Sequence, residues 1–152
     1  AKWWAAVGAQ VHAYDPMSNF TEVASAGLEQ VLCDSDVVSL HVPLSEETRH
    51  MISAEQIARM RDRAVIVNVS RGGLIDEVAL AAALVSGKIA GAGLDTFAQE
   101  PLAADHPLRQ APNAVLTPHV AWRSNTSMDA LQEQAVERVR RALTGEPLPN
   151  VL

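Results

Sequence analysis

The sequence holds a single cysteine, Cys33, so an internal disulfide is excluded, which suits a reducing cytoplasm. Cys33 itself is expected to be a small buried hydrophobe ahead of "DSD". Long hydrophobic runs are missing too: the apolar stretches are strand-sized and interrupted, so no membrane span is expected, and the N-terminus has no signal-peptide layout. Basic residues are in deficit, with 12 Lys and Arg against 18 Asp and Glu, a net charge of -6. With no local basic cluster to offset it, that balance removes the electrostatic footprint expected of a nucleic-acid or anionic-membrane binder. There are no internal repeats and no low-complexity linker, and no metal site is expected. An orderly start is also lacking. "AKWWAAVGAQVHAYDP" opens in mid-helix, without initiator methionine or N-cap and with Gly8 as a helix stop, and reads as a fragment of a longer chain.

What is present is a globular pattern, 48% hydrophobic with mixed charges, enough to bury a core. Strand-like and helical runs alternate: "VHAYD", "GLEQVLCDSD", "VVSLHVP", "SAEQIARM", "AVIVNVS", "EVALAAALVSG" and "IAGAGLD". Ser53 with Gln56 forms a capping-box pattern before the fourth of these. Gly87 ends the sixth. Such alternation signals βαβ units and a parallel sheet covered by helices. After a proline-bearing loop come a short strand, "AVLT", and the sequence "PHVAW". A helix over about 128–143 closes the chain, with Leu131, Ala135, Val139 and Leu143 near one face.

In an open parallel sheet, ligands bind beyond the carboxyl ends of the strands. The residues that follow the strands here are Asp15, Pro43, Arg71, Asp95 and His119. The segment "AVIVNVSRGGLIDE" shows the point most clearly, because a strand apolar on both faces ends in an arginine and two glycines. Alone, each residue has a bland reading: Arg71 a surface arginine, Asp15 a turn residue before Pro16, Asp95 a cap, His119 a satisfied loop histidine. Their common edge favours a site.

The segments "NVSRGGLIDE", "GAGLDTFAQEP" and "LTPHVAW", in this order and spacing, resemble the active-site segments of the D-isomer-specific 2-hydroxyacid dehydrogenase family. "SDVVSLHVPLSEETRHMI" resembles its cofactor-side segment. The resemblance covers nearly the whole chain. It implies an α/β, Rossmann-like doubly wound parallel sheet, N-terminally truncated, because the first strand and the G-x-G-x-x-G loop are missing from the sequence. It also implies residues 1–127 as a partial NAD-binding domain and 128–152 as a helix and tail returning toward an absent substrate domain.

For chemistry, the resemblance implies an NAD-dependent enzyme whose catalytic arginine, glutamate and histidine fall on Arg71, Glu100 and His119. The roles make physical sense. A guanidinium binds a 2-oxo acid's carboxylate through two parallel hydrogen bonds and stays charged at any working pH. Hydride reaching the ketone carbon leaves negative charge on oxygen, so a proton donor is needed, and His119 supplies it. A carboxylate on the other ring nitrogen orients the ring and favours imidazolium, the part assigned to Glu100. At the end of a nucleotide-unit strand, Asp15 would accept from the adenosine ribose and repel a 2′-phosphate, which favours NAD over NADP.

By resemblance, Pro43 lines the adenine side and Asp95 accepts from the nicotinamide carboxamide. His41, a loop residue by its own pattern, falls in the same cofactor-side segment. Val69, Ser70, Arg71, His119 and Ala121 complete the expected cofactor contacts. His50 and His106 are left as loop or surface residues, and His12 as a residue within a strand. "PHVAW", with Trp122, is similar to members acting on hydroxypyruvate or glycerate. Expected partners are a small 2-oxo or 2-hydroxy acid and a second copy in a cytoplasmic homodimer. Two alternatives stay open: an NAD-sensing protein of corepressor type, and a formate dehydrogenase, for which the resemblance implies glutamine where Glu100 stands.

Overall fold

The computed structural model describes residues 1–17 and 23–148, so the last four residues of the expected C-terminal tail lie outside the described residues. Two compact units are present, Ala1–Pro118 and His119–Leu152.

Among the described residues, the α-helices and strands of the first unit are α1 (Lys2–Ala6), β1 (His12–Ala13), β2 (Ala24–Ser25), α2 (Leu28–Asp34), β3 (Val37–Leu40), α3 (Ala54–Arg59), β4 (Ala64–Asn68), α4 (Glu77–Ser86), β5 (Ile89–Leu94) and β6 (Ala114–Leu116). Every pairing is parallel. β1 pairs with β2 in one ladder, and β3-β4-β5-β6 form a four-stranded sheet in chain order. This is the parallel α/β arrangement expected from the alternation, and it agrees with the Rossmann-like sheet that the resemblance implies. One register row crosses the larger sheet at its carboxyl edge: Leu40 opposite Asn68, Asn68 opposite Leu94, and Leu94 opposite Leu116. The four strands therefore release their chains at one edge.

The core explains why these runs became these elements. Ala64 and Ile66 on β4, Ile89, Ala92 and Leu94 on β5, and Val38 and Leu40 on β3 are buried. Helix α4 covers them with Leu80, Ala81, Ala83 and Leu84. It starts where Asp76 Oδ1 accepts from Ala79 N–H at 3.0 Å and stops at Gly87, whose φ of +77° an L side chain rarely adopts. Helix α1 ends as expected, with Gly8 at φ +89°.

Three local expectations are corrected. Ser53 does cap α3, accepting from Glu55 N–H, but Gln56 takes the Ser53 hydroxyl's proton rather than the Ser53 backbone N–H, so the reciprocal box is not formed. Cys33 is exposed, because α2 turns Leu32 inward and the next residue outward. His106 is in a loop but not on the surface: it caps a short 3₁₀ turn, Pro107–Arg109, and its side chain is 19% exposed.

The second unit is built on α5 (Asn125–Thr144). A capping box missed in the sequence starts it, with Ser124 and Ser127 each accepting from the other's backbone N–H. Gly145, at φ +71°, ends it. Leu131, Val136, Val139 and Leu143 are all exposed. At its C-terminal end Glu137 accepts from Arg140 and Arg141, which hold its carboxyl well below the usual range, at about 2. Among the described residues no helix is long and apolar enough to cross a membrane.

Candidate active site

Arg71 stands three residues past β4 and is exposed. The turn that presents it is held by Asn68, the last residue of the strand. Positions 64, 66 and 68 share the inward face of β4, so the Asn68 amide is 1% exposed in an otherwise apolar row. It resolves this by bonding within its own turn: Nδ2 donates to Arg71 O at 2.8 Å and Oδ1 accepts from Ser70 N–H at 3.0 Å. Ser70 Oγ donates to Val42 O at 2.6 Å, which ties the end of β4 to the chain leaving β3. That second chain carries His41, whose Nε2 lies 2.9 Å from Ser39 Oγ, and exposed Pro43. Val69 is 42% exposed on the same edge.

Past β5 comes Asp95, only 2% exposed, with Thr117 Oγ1 donating to its Oδ1 at 2.5 Å. Backbone bonds lock the same corner, from Asp95 N–H to Asn68 O at 3.0 Å and from Thr117 N–H to Leu94 O at 2.9 Å. The next hydroxyl, Thr96 Oγ1, is buried with no hydrogen-bond partner among the described residues. The loop then turns back so that Phe97 N–H donates to Glu100 Oε1 at 3.0 Å, and Ala98 N–H donates to Glu77 Oε1 at 2.7 Å. Gly72 makes this loop possible, since a Cβ there would lie 1.9 Å from the Phe97 carbonyl carbon.

Asp15 lies two residues beyond β1, and its Oδ1 accepts from Met17 N–H at 2.8 Å, as a turn residue does. In the second unit, His119 is half-buried with φ +54°, its carbonyl accepts from Trp122 Nε1–H at 3.1 Å, and Ala121 is exposed.

Asp15 follows a strand of the two-stranded ladder and buried Asp95, beside an orphaned hydroxyl, follows a strand of the four-stranded sheet; as carboxylates they have the acceptor chemistry that ribose hydroxyls and a carboxamide would need. These residues fit NAD, although the phosphates would need the N–H groups of a glycine-rich turn that this sequence does not contain. Among the described residues no group of three or more His, Cys, Asp or Glu could hold a metal ion.

Residues 1–121 match the model of the D-isomer specific 2-hydroxyacid dehydrogenase family, NAD binding domain. The chain belongs to that family. It is 44% identical over 149 residues to a glycerate dehydrogenase of Methylorubrum extorquens, covering 97% of this chain and 46% of that protein. It is 49% identical over 125 residues to a glyoxylate reductase of Korarchaeum cryptofilum, covering 82% and 38%. Among solved structures, D-lactate dehydrogenase with NAD+ from Lactobacillus jensenii superposes with a TM-score of 0.93 at 35% identity, covering all of this chain and 51% of that one. The chain thus spans less than half the length of these curated relatives, and it corresponds over most of its length to the family's NAD binding domain.

Asn68, Thr117, Glu77 and His106 were not singled out from the sequence. Asn68 carried a signal, being the polar member of an inward-facing period-2 row. The others did not: each acts through a partner more than 20 residues distant.

Proposed function

We propose that the complete protein is an NAD-dependent oxidoreductase that interconverts a small D-2-hydroxy acid and its 2-oxo acid. The observation that carries this reading is the register row at the carboxyl edge, from which the turn bearing Arg71, the buried Asp95 and the loop bearing Glu100 all depart. NADH, when bound, supplies the hydride. Arg71 binds the substrate carboxylate through its planar fork, His119 gives a proton to the developing alkoxide, and Glu100 orients that ring and favours its charged form. Asp15 would exclude a 2′-phosphate, while Asp95, with Pro43, His41, Val69, Ser70 and Ala121, borders the cofactor.

Residues 1–127 would form the larger part of the nucleotide domain, with 128–152 returning toward a substrate domain, in a cytoplasmic homodimer. Hydroxypyruvate and glyoxylate head the substrate panel, since they are the acids associated with relatives above 40% identity.

The test is a pair of pH profiles of kcat/KM, in both reaction directions, for the complete protein and its Glu100→Gln variant. Reduction needs protonated His119, so its limb falls as pH rises; oxidation needs neutral His119, so its limb rises. Removing the Glu100 charge disfavours imidazolium and should move both limbs to lower pH, by about one unit for each 1.4 kcal/mol of lost stabilisation. Limbs that stay in place, or move upward, refute the pairing.

A further inference from the structure

We infer that Glu77 is a positioning residue for Glu100, acting through the backbone of loop 97–100; the inference rests on the role proposed above for Glu100. Glu77 is the first residue of α4, directly after the capping Asp76. An acid in a first helical turn gains from the helix dipole while remaining in water. Glu77 does not remain there. It is only 9% exposed, and burying a carboxylate costs stability unless both oxygens are satisfied.

Its partners lie on later segments of the chain. Oε1 accepts from Ala98 N–H at 2.7 Å, 21 residues further on. Oε2 is 3.4 Å from His106 Nε2. His106 Nδ1 accepts from Leu108 N–H at 3.3 Å, which assigns the ring proton to Nε2, facing Glu77.

Two successive amides of one loop thus each donate to a carboxylate, Phe97 N–H to Glu100 and Ala98 N–H to Glu77. Peptide groups are planar, so the two N–H vectors are related only by the φ and ψ of Phe97. Because sterics confine that pair of angles to a few regions, fixing one amide narrows the directions open to the other. Gly72 bounds the same loop from another direction, since even a methyl group there would collide with the Phe97 backbone. Glu77 is therefore placed to hold the amide of Ala98, next to the Phe97 amide on which the Glu100 carboxylate rests. A merely structural acid would stabilise α4 without reference to Glu100.

The experiment uses the complete protein with Glu77→Ala and Glu77→Gln, each alone and combined with Glu100→Gln. It reads kcat, KM, NADH affinity and amide exchange over residues 96–101. Glu77→Ala should lower kcat/KM by roughly tenfold to a hundredfold, as for a misplacement of about 1 Å, mainly through kcat, with faster exchange in the loop and little change in NADH affinity. Glu77→Gln keeps an acceptor oxygen for Ala98 and should recover most of the rate. In the Glu100→Gln background, Glu77→Ala should cost less than about twofold further, because the group it positions is already disabled.

Multiplicative losses in the double variant, or no recovery with glutamine, would overturn the inference while leaving Glu100's role intact. If Glu100→Gln alone left kcat/KM and its pH limbs unchanged, both would fall. Should the alanine variant not fold, Glu77→Asp keeps the charge, draws the oxygen back by one methylene and should give the same pattern.

Discussion

Adjacent glycines that follow Arg71 should respond very unequally to the same substitution. A Cβ on Gly72 would stand 1.9 Å from Phe97 C, 2.2 Å from Ala98 N and 2.3 Å from Phe97 Cα, all backbone atoms. Reaching ordinary contact, at about 3.4 Å, requires about 1.5 Å of movement by a loop that cannot yield by turning a side chain. That distance breaks a 3.0 Å bond to Glu100 and a 2.7 Å bond to Glu77. Overpacking alone costs about 1–3 kcal/mol, and each hydrogen bond to a charged group adds about 1.5–3. Gly72→Ala should therefore destabilise the complete protein by roughly 4–9 kcal/mol and, where it folds, lower kcat/KM by about a hundredfold. On Gly73 a Cβ would meet Leu44 Cδ2 at 3.0 Å, the far end of a flexible side chain, so Gly73→Ala should cost less than about 1.5 kcal/mol. Urea denaturation and steady-state kinetics on the two variants decide the matter. Similar losses in both, or a neutral Gly72→Ala, would refute the claim that the loop is seated against the Gly72 backbone.

Other perturbations have equally definite signs. The complete protein should prefer NADH to NADPH by at least about tenfold in kcat/KM, because a 2′-phosphate beside the Asp15 carboxylate sets like charges a few ångströms apart; equal values would return Asp15 to its turn with Met17. Arg71→Lys should lose about tenfold to a hundredfold in kcat/KM despite retaining charge, since an ammonium lacks the planar fork, and an unchanged rate would remove Arg71 from substrate binding. For Glu137, a carboxyl-detected NMR titration should find protonation only near pH 2, because Arg140 and Arg141 donate to it. Its folded-state value is depressed, so the stabilisation is present above the ordinary carboxyl range and is lost as pH falls toward 2; being solvent-exposed, the shift should shrink in high salt.

The strands and helices were legible because each is announced locally. β-Branched runs mark β3 and β4, Asp76 and Gly87 bracket α4, and the residue types beyond each strand place Arg71 and Asp95 on one edge. Two-residue β2 escaped notice, since Ala24 and Ser25 have neither the length nor the pattern of a strand and become one only through pairing with His12 and Ala13. The exposure of Cys33 and the partial burial of His106 escaped for a related reason. Which way a side chain points depends on what packs against its element, and for His106 that neighbour is Glu77, 29 positions earlier.

The buried polar groups show where local consistency was given up. Among the described residues the buried polar or charged side chains are Asn68, Glu77, Asp95 and Thr96, whereas the rest of the core is apolar. Asn68 closes β4, Asp95 and Thr96 follow β5, and Glu77 reaches the loop beyond them. Each costs desolvation that an aliphatic residue of similar volume would avoid, so their concentration at one edge is not what packing alone selects. Two of them hold backbone: Asn68 binds the Arg71 carbonyl and Ser70 N–H, and Glu77 binds Ala98 N–H. A long arginine or glutamate on an exposed turn loses rotamer freedom each time it engages a ligand, and an unfixed turn would add the backbone's own entropy to that loss. Fixing the peptide beneath each side chain from the buried face removes the second part, and the tips are themselves held locally, Arg71 Nη1 donating to Ser70 O at 2.7 Å and Glu100 Oε1 accepting from Phe97 N–H at 3.0 Å. Arg71 and Glu100 can therefore stand exposed on turns and still be held in register with one another through the sheet.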